Sequence, residues 1–171
     1  MTKCLHAAGL ALALLITPIV ITPVVGQGRH GGRGMMNDGA QGADMQVFHQ
    51  LFDHRAEIVR RVVMRQDGVE TVTESTNPEG TRLLQTHVAS MLARVKEGRA
   101  IHRRDPLFAE LFRHADRIDA RQELTAGGVR VVETSQDAYV VKLLQAHAEV
   151  VSAFIANGRS EMMKNHPLPV R

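Results

Sequence analysis

One cysteine, Cys4, stands among 171 residues, with no tryptophan, a single tyrosine and only 4% aromatic side chains. Beyond Cys4 the chain has no thiol. That excludes disulfides, thiolate nucleophiles, cysteine-based zinc sites and covalent c-type haem attachment over the remainder. A marked excess of one charge is also missing, since 21 Lys and Arg face 18 Asp and Glu. The signs are interspersed, and no basic run is broken by aromatics, so a pI near 9.5 does not translate into a nucleic-acid surface. No phosphate-cradling glycine loop, no Gly-x-Ser-x-Gly elbow and no His-Glu-x-x-His is present. These absences weigh against an enzyme of a common type, and no pattern names a reaction.

What is present begins with an address. Lys3 is the only charged residue before Arg29, and residues 7–25 are almost wholly apolar. A positive start, an apolar run and small residues near Val24 and Gly26 form the pattern of a secretory signal peptide over residues 1–26, cleaved after Gly26. The rival is an uncleaved anchor, against which Pro18 and Pro23 weigh because each removes a helix donor. The expected location is therefore periplasmic or extracellular. Residues 27–45, rich in glycine, read as a flexible linker in which His30, Met35 and Met36 are incidental or loosely copper-binding. Residues 46–171 read as one domain.

That domain carries an internal correspondence. Shifted by sixty, residues 48–107 align with 108–167 without a gap and share 17 identities, where chance gives about four. Phe48, Leu51, Phe52, His54 and Ile58 fall on Phe108, Leu111, Phe112, His114 and Ile118. Leu83-Leu84-Gln85-x-His87 falls on Leu143-Leu144-Gln145-x-His147. The identities read as a tandem duplication. In each copy, helical spacing from Phe48 to Val62 predicts a helix stopped by Gly68. A short strand, Val69–Thr73 or Val129–Thr134, follows. Asn77-Pro78, Asp137 and Asp105-Pro106 are caps opening further helices, and Gly98 ends one. The expected fold is α+β and mostly helical: two helix–strand–helix units about a pseudo-twofold, with a small antiparallel two-stranded sheet. So small a sheet is marginal, which favours a homodimer that extends it.

Candidate chemistry rests on histidine. His87 lies within the apolar stripe of Leu83, Leu84, Met91 and Val95, and His147 within that of Leu143, Leu144, Val151 and Ile155. His54 and His114 sit at the edges of their apolar faces. The plainer reading is that all four are core histidines with satisfied ring nitrogens. The sharper one makes them ligand contacts, with His87 and His147 facing across a shared axis to bind copper, zinc or b-type haem. Phe52, Met91, Phe112 and Val151 would be wall residues. Gln85 and Gln145 point to the wrong helical face to orient the rings. Ser75 and Ser135 read as capping residues rather than nucleophiles. Met162, Met163 and His166 could form a thioether–imidazole copper site, or simply a packed terminal turn. Two functions follow: a non-enzymatic exported binding protein, or a cofactor-free structural or interaction module of the cell envelope.

Overall fold

The computed structural model describes residues 39–171, with side chains from residue 42 onward. The apolar leader, the expected cleavage point, His30, Met35 and Met36 lie outside the described residues. Helix α1 (Gly39–Asp53) begins inside the stretch expected to be a tether. A 3₁₀ turn at Arg55–Glu57 breaks it, and β1 (Ile58–Arg65) and β2 (Gly68–Ser75) follow as a hairpin. Helix α2 (Pro78–Glu97) starts at the Asn77 cap, whose side chain accepts from the Glu79 amide at 2.8 Å. It ends at Gly98, in the left-handed conformation with φ 64°. Helix α3 (Pro106–Arg113) is capped by Asp105 and leads through the turn Ala115–Arg117 into β3 (Asp119–Leu124) and β4 (Gly128–Thr134). Asp137 caps α4 (Ala138–Asn157), and a single turn, α5 (Arg159–Met162), completes the order.

Two expectations fail here. The sheet has four antiparallel strands in the order β1-β2-β4-β3, not two. Segments 58–65 and 119–124 are strands rather than helix ends, so the unit of structure is helix–strand–strand–helix, not helix–strand–helix. Ile58, Val59 and Val62 satisfy helical spacing, yet they are β-branched and pair readily across a sheet. Gly68 is accordingly no helix cap. It opens β2 at φ 157°, where an added Cβ would stand 1.9 Å from the Glu133 carbonyl oxygen. A tandem duplication, being a statement of descent, is not shown by this single sheet.

The central pair is β2 with β4, Val69 opposite Glu133, Thr71 opposite Val131 and Thr73 opposite Val129. Val69, Thr71, Thr73 and Ser75 alternate into the interior, as do Val129 and Val131. The long helices α2 and α4 cross this face. Each holds the hairpin that the other half of the chain supplies. Gln85 of α2 donates to the Gly128 carbonyl at 3.1 Å, and Gln145 of α4 donates to the Arg65 carbonyl at 2.9 Å. Among the described residues, α4 alone is long and apolar enough to cross a bilayer. Here it contributes Val140, Leu143, Leu144, Ala148, Val150 and Phe154 to the core. Among the described residues, no helix covers the other face of the sheet. Val59 and Val63 are 56% and 58% exposed there. Beside them Arg130 bridges Glu70 and Glu123, each at 2.8 Å.

Candidate functional site

Helix α1, the long helices and the β1–β2 hairpin enclose an open-sided cavity of about 170 Å³. Four of the chain's five phenylalanines line it: Phe48 and Phe52 from α1, Phe108 from α3 and Phe154 from α4. Their rings pack edge to face and offset, with Phe48 and Phe52 at 4.7 Å and Phe108 and Phe154 at 6.0 Å. Leu51, Leu84, Met91, Val151 and Ile155 complete an almost unbroken apolar wall.

His87 and His147 both line this cavity. Each projects from the core stripe of its helix, which is why two residues distant in sequence meet one space. The His87 ring lies nearly parallel to Phe48 with centroids 5.5 Å apart, and Phe108 meets His147 edge-on at 5.0 Å. Both Nδ1 atoms are buried with no hydrogen-bond partner. Burial lowers both imidazoles to about 4; Arg60 and then His87 lower His147 further, while Asp44 and Asp105 pull the other way. Both rings are therefore neutral near pH 7, each with a nitrogen lone pair available to a Lewis acid or a donor.

Arg55, Arg60, Thr73, Asp44 and His102 are the further polar side chains on the wall. Arg60 extends from β1 and donates to Thr73 Oγ1 at 2.6 Å, while its Nε is buried without a partner. Burial lowers Arg60 to about 10, against the opposing charge of Glu133. The same burial raises Glu133, with Arg60 opposing. Asp44 ties α1 to α2, accepting from Arg94 Nε and from Ser90 Oγ, each at 2.5 Å. His102, in the loop between α2 and α3, stands edge-on to Phe108 at 4.9 Å.

The other candidates are placed elsewhere. His54 and His114 do not line the cavity. His54 Nδ1 sits 2.9 Å from Glu57 Oε2, and His114 Nε2 lies 3.4 Å from Glu110 Oε1 with its ring against Tyr139. Of the expected wall residues, Phe52, Met91 and Val151 are in place and Phe112 is not. Ser75 Oγ accepts from the Asn77 amide and Ser135 Oγ from the Asp137 amide, each at 3.1 Å, as strand-to-helix caps. His166 is held at both nitrogens, by Asp105 Oδ2 at 2.5 Å and Glu161 Oε1 at 3.2 Å. Among the described residues, no three His, Cys, Asp or Glu side chains gather as a metal cluster.

Sequence reasoning missed Asp44, Arg60 and His102. Asp44 fell inside the supposed tether, Arg60 adjoins the matched pair Arg61/Arg121, and His102 aligns with Met162 rather than another histidine. Only Arg60 left a usable trace: alternation of Ile58, Arg60 and Val62 on one face of a strand. A scan against protein-family models gives no match for this chain, and neither the curated proteins nor the solved structures give one.

Proposed function

We propose that this is an exported, non-enzymatic binding protein that holds a b-type haem in the phenylalanine-lined cavity, with His87 and His147 as iron ligands. The observation that carries this reading is a pair of neutral imidazoles in one apolar space, each with a buried Nδ1 that has no hydrogen-bond partner. A bare zinc ion wants four protein ligands, and among the described residues no three His, Cys, Asp or Glu side chains cluster to supply them. Haem iron brings four nitrogens of its own and needs one or two axial imidazoles, while its macrocycle needs apolar walls. The cavity of about 170 Å³ admits something nearer a single ring. Entry of a macrocycle therefore displaces α1, whose main contacts are with α2 and the turn at 55–57.

Titration of the purified protein with haemin tests this. The expected result is a shifted Soret band saturating at one haem per chain, with His87→Ala and His147→Ala each weakening binding at least tenfold. If both variants bind haemin like the parent, or the parent binds none, the reading fails. A purely structural role would instead show as a loss of roughly 1–3 kcal/mol of stability in each variant with no ligand effect.

A second reading draws on the sheet face that carries the exposed Val59 and Val63. A homodimer or an envelope protein partner would cover it as an interaction module does. Val59→Lys/Val63→Lys should then abolish self-association or co-purification of that partner, without changing haemin binding.

A further inference from the structure

A second cavity, also of about 170 Å³, lies beside the first, and its lining brings together Met45 of α1, Met162 and Met163 at α5, and His102. We propose that this cavity is a site for monovalent copper, held by the three thioethers and the His102 imidazole. Met45 and His102 also line the first cavity, but neither His87 nor His147 lines this one, so copper binding here does not need the haem ligands.

Three observations converge on His102. Its backbone has φ 54°, the only positive φ outside glycine among the described residues. Its Nε2 is buried without a hydrogen bond, the Asp105 carboxylate being 3.9 Å away. Burial, ahead of the opposing charge of Asp105, lowers its pKa and so favours the neutral ring that binds metals. A residue held in the left-handed region, with an unsatisfied ring nitrogen and lining a cavity, is an arrangement with a use.

The remaining donors set the metal. Thioethers are soft and uncharged, and they select Cu(I) over zinc or Cu(II), which favour more nitrogen and oxygen ligands. Asp105, with its side chain 1% exposed, supplies a nearby negative charge to offset the cation without being a ligand. Lys164 at the rim is neutralised by Glu161 at 2.6 Å. His166, beside Met162 and Met163 in sequence, cannot serve because Asp105 and Glu161 occupy both its nitrogens. The site is assembled across 118 residues of chain, from Met45 to Met163, which hides it from any local motif.

The test is an anaerobic Cu(I) titration of the full chain carrying Cys4→Ser, against a chromophoric Cu(I) chelator. Expected is one competitively bound Cu(I) per chain. His102→Asn should weaken it at least tenfold, asparagine being chosen because it tolerates positive φ. Met45→Leu and Met162→Leu should do the same at nearly constant volume. The triple variant His30→Asn/Met35→Leu/Met36→Leu should leave binding unchanged, and each variant's melting curve checks its fold. Retained affinity in folded His102→Asn and Met45→Leu overturns the proposal, as does loss in the triple variant alone. A parent chain that fails to compete with the chelator overturns it too.

Discussion

His87 and His147 work against folding in acid. An unfolded imidazole titrates near 6.5, whereas these two titrate near 4, so between those values the unfolded chain binds more protons than the native one. Stability is unaffected above pH 6.5 and falls as pH drops towards 4, by up to about 1.4 kcal/mol per pH unit for each ring. His166 has the opposite sign. Burial lowers it, but the bonds and charges of Asp105 and Glu161 outweigh that and raise it, so its contribution is present in acid and fades as pH rises through the raised value. Melting temperature followed from pH 7.5 to 4.5 should therefore drop steeply, and His87→Phe/His147→Phe should flatten the curve. Gly68 is a second sensitive residue. Gly68→Ala should lower stability by about 2 kcal/mol or more, read by chemical denaturation, because its Cβ would collide with the β4 backbone. At this scale the sequence speaks where a polar residue interrupts an apolar stripe, as at His87 and His147. It is silent at Asp44 and His102, whose partners come from remote segments.

Elements were legible where their ends carry local chemistry. The Asn77, Asp105 and Asp137 caps and the Gly98 stop lie at the expected helix ends, because a cap is decided by its own side chain and a few neighbours. The outer strands were not legible. β3 reads Asp-Ala-Arg-Gln-Glu-Leu, with no strand preference of its own, and is extended because β4 offers it a ladder. The overlooked cues are Asp67-Gly68 and Gly127-Gly128, turn dipeptides that announce a hairpin on either side. Helix α1 was hidden by glycines at its start, and it depends on Asp44 bonding to Arg94 and Ser90. Asp44→Ala should cost about 3 kcal/mol, as loss of one partner of a buried pair does. Hydrogen exchange should quicken across residues 42–53 while the centre of the sheet stays protected.

For the whole molecule, the exchange of helices and hairpins between halves predicts one cooperative unit. Gln85 and Gln145 each fasten a hairpin drawn from the other half of the chain. A fragment of residues 39–105 would keep α2 but lose the β4 edge and α4, leaving the interior face of β2 only half covered. Such a fragment should show no cooperative melt and should bind a dye that reports exposed apolar surface. A sharp transition from it would mean that each half folds alone. The location of the sheet's centre was legible from the valine-rich segments after Gly68 and Gly128. The number of strands was not, since it depends on which backbone is left to pair.

The β2–β4 seam also fixes the order of events at birth. Gly68 pairs with Thr134, so after β2 ends at Ser75 the chain must lengthen by the stretch up to β4, Gly128–Thr134, before that strand finds its second neighbour. At about 5–20 residues per second this is an interval of several seconds. Throughout it, the stretch Val-Glu-Thr-Val-Thr presents a bare strand edge to every other nascent chain nearby. Glu70 and Glu74 sit within that strand and give it the charge that disfavours pairing with a stranger.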